Sequence, residues 1–94
     1  MLFLVIAKDG TDPEAPTRRQ QARETHLEGA RRLAADGTLQ VAGALLDGAG
    51  TMIGSMLVLE APDEATVRAL LDADVYHRAG VWRHVEVYPF RRAV

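Results

Sequence analysis

An α+β domain with the order β-α-β-β-α-β is what this 94-residue sequence predicts, and three observations predict it. Four short runs rich in β-forming residues occupy residues 2–7, 38–46, 52–61 and 81–90. Two stretches with apolar residues at helical spacing fill residues 17–36 and 62–73. The middle two runs are separated by little more than "DGAG", a turn that makes them an antiparallel hairpin. Together these give a split βαβ plan, the ferredoxin-like fold with one four-stranded antiparallel sheet.

Each element has a local cause. "LFLVIA" reads as a buried strand that ends before the polar loop "KDGTDPEAP". Thr17 is placed to cap the first helix, with Gln20 three residues on completing a weak capping box. That helix runs to about Asp36, where Gly37 supplies the left-handed residue that commonly ends one. "TLQVAGALL" and "MIGSMLVLEA" form the hairpin strands. Pro62 suits the first turn of the second helix, and Asp63 and Glu64 suit the positive end of its dipole. "YHRAG" gives one further turn before the closing strand "VWRHVEVYPF".

Composition narrows the classes of function. A net charge of −2 argues against nucleic acid or an anionic membrane as partner. The absence of cysteine excludes disulfides, thiolate metal sites and cysteine nucleophiles. The opening "MLFLVIA" lacks the basic region of a signal peptide, and no run approaches the roughly 18 apolar residues of a membrane span. A cytoplasmic protein of one domain, residues 1–94, is the expectation.

Two helices cover one face of such a sheet. Yet strand one is apolar on both faces (Leu2, Leu4, Ile6 against Phe3, Val5, Ala7), and strand three nearly so. Strands of that kind are buried on both sides, so a second copy packed sheet to sheet is the simplest cover. On the last strand, Val81, Val85 and Val87 form a core face. Trp82, His84, Glu86 and Tyr88 form a mixed face suited to a dimer interface or a wet pocket.

The residue that draws chemical interest is His26. Ala22, His26, Ala30 and Leu33 follow at spacings of four, four and three, with Leu27 and Ala34 widening the stripe, so the imidazole is aimed inward. One reading is a neutral core histidine bonded to a backbone carbonyl. The other is a general acid/base, which needs a carboxylate to fix its tautomer. Asp72 and Asp74 close the second helix and are the nearest candidates. Asp74 also reads as the cap of the short "YHRAG" turn, and spacing alone favours that role. His77 and His84 lie on other elements without ligand spacing, so no metal site is expected. "DGAG" precedes a strand rather than a helix, so it lacks the helix terminus of a phosphate loop.

The segments "THLEGARRLAADGTLQVAG", "GSMLVLEA", "DADVYHRAGVW" and "VEVYPFRR" resemble, in order and register, the YciI-like (YCII-related) family of the dimeric α+β barrel superfamily. The matching positions are His26, Gly43, Gly54-Ser55, Asp74-Val75-Tyr76 and Pro89-Phe90. The resemblance implies a homodimer, or a higher oligomer built from it, with facing sheets and a pocket containing a His26–Asp74 dyad. It implies Ser55, Tyr76 and Gly43 as residues around a small-molecule ligand, and chemistry of the dehydrochlorination or muconolactone-isomerisation type. Val75 stands where the family usually has proline, which would hold Asp74 extended, so the direction of Asp74 is expected to be less constrained.

Two functions follow as expectations. The first is an isomerase or lyase that moves a proton on a small cyclic carbonyl compound, without metal or organic cofactor. The second is a non-catalytic module that binds a ligand or supplies a dimerisation surface. They differ in whether His26 meets Asp74 beside an open cavity or is sealed on a backbone carbonyl.

Overall fold

The computed structural model describes residues 1–94. Its elements are β1 (Leu2–Asp9), α1 (Ala15–Ala35), β2 (Leu39–Leu46), β3 (Met52–Glu60), α2 (Glu64–Ala73), α3 (Val75–Arg78) and β4 (Trp82–Phe90). The strands form one antiparallel sheet in the order β2-β3-β1-β4. This is the ferredoxin-like α+β fold that the sequence predicts. No helix is long and apolar enough to cross a membrane.

The core lies between the helices and one sheet face. Alternate residues Phe3, Val5 and Ala7 of β1 and Leu57 and Leu59 of β3 pack there with Val67, Leu71 and Tyr76 from the helices. The opposite face carries Leu4, Ile6, Met56 and Val58, and its edges leave Val41 49% and Tyr88 46% exposed.

Four local expectations are corrected. The first helix begins at Ala15 rather than after Thr17, because Pro16 presets its first turn and the Asp12 carbonyl accepts the Ala15 N–H at 3.1 Å. Pro62 precedes the second helix; Asp63 is its cap and accepts the Thr66 N–H at 2.8 Å. Ala34 is exposed rather than part of the buried stripe.

The fourth correction bears on the site. β1 does not stop at Ala7 but continues through Asp9, and its pairing with β4 shifts between Lys8 and Asp9. Lys8 faces His84 but Asp9 faces Trp82, so Arg83 is an extra residue on β4. Such a bulge reverses the alternation beyond it. Trp82 therefore leaves the face of His84, Glu86 and Tyr88 and enters the core, only 4% exposed. Asp9 turns the same way, toward α1.

Candidate functional site

Three elements converge on His26. Within α1 the buried stripe is Ala15, Arg19, Ala22 and His26, continued by the partly buried Ala30 and Leu33. At the α2–α3 junction, Asp74 has φ −70° and ψ 141°, an extended conformation that ends one helix and begins the next. His26 Nδ1 lies 2.9 Å from Asp74 Oδ1 and 3.0 Å from Oδ2. Asp74 Oδ1 also accepts the Tyr76 N–H at 2.8 Å. The two roles that the sequence offered for this aspartate are filled together: it caps α3 and it holds the imidazole. Asp72 has neither role, lying exposed 3.9 Å from His77.

Stacking fixes the ring as well. His26 lies parallel to the Tyr76 ring at 3.9 Å between centroids, and the Trp82 indole meets both rings edge-on at 5.8 and 5.6 Å. An ionised carboxylate only accepts hydrogen bonds, so Nδ1 carries the proton of the neutral ring. The lone pair is then on Nε2, which has no partner in the chain. Burial pushes the Tyr76 phenol above its ordinary pKa, against a smaller opposing effect of Arg19, so Tyr76 stays neutral near physiological pH.

A cavity of about 220 Å³ opens beside the ring, and Arg19, Arg23, His26, Gly43, Ser55 and Tyr76 are among its walls. Gly54 explains how Ser55 gets there. A Cβ at Gly54 would sit 2.5 Å from the Ala7 carbonyl oxygen, so only glycine lets β3 run this close to β1. A Cβ at Gly43 would meet open space, so Gly43 contributes backbone without a steric need for glycine. His77 and His84 are exposed and distant in role, His84 lying 3.6 Å from Glu86, and no three His, Asp or Glu side chains gather as metal ligands.

Arg19 and Asp9 are residues that the sequence reasoning missed. Arg19 Nη1 donates to both Asp9 oxygens at 2.9 Å, with the two side chains 6% and 4% exposed. Arg19 Nη2 donates to Ser55 Oγ at 2.9 Å, and the Trp82 indole N–H donates to the same oxygen at 3.1 Å. The Arg19 guanidinium also lies 4.8 Å over the Tyr76 ring, a cation–π distance. A signal was present: Arg19 stands three residues before Ala22 and seven before His26, on the apolar stripe itself.

Residues 1–91 match the YCII-related domain. The chain belongs to the YCII-related family. Protein YciI of Escherichia coli O6:H1 is 34% identical over 98 residues, spanning 98% of each chain. Among solved structures, this YCII-related chain is similar to the 5-chloro-2-hydroxyhydroquinone dehydrochlorinase TftG of Burkholderia phenoliruptrix AC1100, in complex with 2,5-dihydroxybenzoquinone. That likeness has a TM-score of 0.87 at 28% identity, covering 99% of this chain and 96% of that one. A putative antibiotic biosynthesis monooxygenase of Bacteroides thetaiotaomicron, at 16% identity and a TM-score of 0.58 over 100% of this chain and 90% of that one, shares the fold alone.

Proposed function

We propose that this chain is the protomer of a homodimeric enzyme that performs proton transfer on a small ring compound, of isomerase or dehydrochlorinase type. His26 is the general base and Asp74 its orienting partner, while Ser55, Tyr76 and Gly43 border the ligand. The observation that carries this reading is the His26–Asp74 contact at 2.9 Å beside a cavity of about 220 Å³. It leaves Nε2 as the basic atom and holds the ring against rotation. In an elimination of HCl from the keto tautomer of a chlorinated hydroxyhydroquinone, the chlorine sits on a saturated ring carbon. Nε2 takes the proton of a ring hydroxyl, and the O–H electron pair becomes a carbonyl bond. The ring double bond shifts to the carbon that bore chlorine, and chloride leaves with the C–Cl pair. The likeness to TftG supports that class of substrate. The apolar second sheet face supports the homodimer.

A second reading, a non-catalytic ligand-binding module, draws on His26 being only 9% exposed and stacked on Tyr76 like a core side chain. One experiment separates them. Nitrogen-15 spectra of His26 in the native protein should show the Nδ1–H tautomer, and Asp74→Asn should mix the tautomers, since an amide both donates and accepts. Turnover of a chlorinated hydroxyhydroquinone should fall by about 10²–10⁴ in His26→Ala, the usual contribution of a positioned acid/base. Asp74→Asn should lower it too, and the double variant should lose little more than His26→Ala, since groups acting as a unit are not additive. A native protein that binds 2,5-dihydroxybenzoquinone yet turns over no such substrate would favour the module.

A further inference from the structure

The two edges of the sheet are unlike. In the order β2-β3-β1-β4, strands β2 and β4 lie outermost, and an edge strand carries a row of unpaired backbone N–H and C=O groups. β4 is protected against further pairing. It carries Arg83, His84, Glu86 and Pro89, and the extra residue Arg83 makes a bulge. β2 has no such protection: Leu39–Leu46 reads LQVAGALL, without a charge or a proline. Val41 and Leu46 are exposed, and no hydrogen bond from a loop or a side chain reaches the backbone of Val41–Leu45.

Register gives this edge a centre. β2 pairs regularly with β3 from Val41 to Leu45, and the register shifts just before and just after that segment. Gly43 is its middle residue. Outward from Gly43 the sequence is nearly the same in both directions, Ala42 and Ala44 first, then Val41 and Leu45. An antiparallel pairing of two copies about a two-fold axis at Gly43 sets Gly43 against Gly43, Ala42 against Ala44 and Val41 against Leu45. The backbone pattern meets itself, because alternate residues turn their N–H and C=O outward and that alternation is symmetric about Gly43. No like charges are opposed, since the segment has none. Gly43 has no steric cause inside the chain: a Cβ there would meet nothing within 4 Å. A glycine inside a strand weakens it and often marks the close approach of another backbone.

We infer that β2 is a second contact surface between copies of this chain, an isologous antiparallel pairing of Val41–Leu45 that joins two four-stranded sheets into one. The axis runs perpendicular to the sheet, so the helices of both copies stay on the same side. Ala42 and Ala44 line the cavity beside His26, so the pairing sets the two cavities on either side of the axis. This contact is independent of the facing-sheet dimer, which uses the open face around Ile6 and Met56 rather than the strand edge. A pairing this short falls below the roughly 1,000 Å² of a stable interface, so it forms at higher concentration than the facing contact.

The chain has no cysteine, so an introduced one reports the pairing directly. Opposite residues of an antiparallel pair have Cα atoms about 4.5–5.5 Å apart, inside the roughly 4.4–6.8 Å that a disulfide spans. Gly43→Cys, oxidised with diamide at high protein concentration, should therefore run on a non-reducing gel at twice the 10.3 kDa chain mass. Ala42→Cys alone should link at least about tenfold more slowly, since its own copy lies on the diagonal, about 7–8 Å away. A mixture of Ala42→Cys and Ala44→Cys should link as Gly43→Cys does, and it decides the matter should Gly43→Cys fail to fold. Ile6→Asp combined with Gly43→Cys should leave the link intact, since facing sheets lie about 10 Å apart, too far for a disulfide between them. No link in the folded Gly43→Cys protein or in the mixture, or equal linking at Ala42 and Gly43, would overturn the edge pairing. Loss of the link in the Ile6→Asp background would overturn it too, and would make the facing copy the occupant of β2. The mass of the native chain at micromolar concentration tests the facing dimer separately.

Discussion

Replacing Asp9, the last residue of the inner strand β1, by alanine should cost more stability than truncating a member of any exposed ion pair. Asp9 and Arg19 are 4% and 6% exposed, and Nη1 reaches both carboxylate oxygens at 2.9 Å. Removing one member of a buried pair strands the other charge, which costs about 3–5 kcal/mol. The guanidinium has little to fall back on, since Nε already lacks a partner and Nη2 is committed to Ser55. At 0.05–0.15 kcal/mol per residue, a chain of 94 residues has about 5–14 kcal/mol in total. Asp9→Ala therefore removes about a fifth of it or more, and urea unfolding followed by circular dichroism should show the midpoint fall at constant slope. The double variant Asp9→Leu with Arg19→Met should recover most of the loss, because apolar replacements of a buried pair are often neutral or better. A loss below about 1 kcal/mol in Asp9→Ala, the scale of an exposed ion pair, would refute the reasoning.

The open sheet face makes a second prediction: light scattering at micromolar concentration should give twice the 10.3 kDa chain mass, and Ile6→Asp should shift it toward one chain. A monomeric native protein would defeat the dimer, which should bury roughly 1,200 Å² or more. Arg91→Asp, on the exposed tail, should change nothing, and Trp82→Asp should unfold the chain because Trp82 is core. Acid should expose a third contribution. The Arg18 guanidinium holds the Asp12 carboxyl down to about 2, from an ordinary 3.8, so the pair stabilises the fold above pH 3.8 and loses that effect as pH falls toward 2. Asp12→Asn should thus flatten acid unfolding in that window, and an unaltered curve would assign acid sensitivity to other carboxylates.

Periodicity was enough for the element order and for the inward aim of His26, because both depend on spacings of two or of three to four that a chain displays openly. It failed at Trp82 because a bulge adds one residue without any signature in the alternation, and one residue is enough to swap faces. Arg19 is hard to read from the sequence for a different reason. A charged residue on an apolar stripe reads as a break in the pattern, whereas here it marks a buried pair whose other half lies on another element. Asp74 needed the tertiary structure for the same cause: its cap is local and readable, but its contact with His26 spans 48 positions.

Val75 offers the sharpest contrast between sequence expectation and structure. Without the proline common at this position, Asp74 was expected to point less definitely. Yet its φ of −70° and ψ of 141° are extended, as a following proline would require, and the hydrogen bonds from His26 and the Tyr76 N–H fix the carboxylate. The tertiary contacts impose what the covalent ring would have imposed. Val75 is the first residue of α3, where proline is tolerated, and its own N–H makes no hydrogen bond that a ring would break. Val75→Pro should therefore stabilise the chain by about 0.4–1 kcal/mol, by reducing the freedom of the unfolded state. The partly buried contact of Val75 with the core sets the lower end of that range. The same variant should leave the His26 tautomer unchanged, because the aspartate already points where proline would send it. Destabilisation by Val75→Pro, or a tautomer mixture in its nitrogen-15 spectrum, would show that the Asp74 backbone is less settled than its two hydrogen bonds make it.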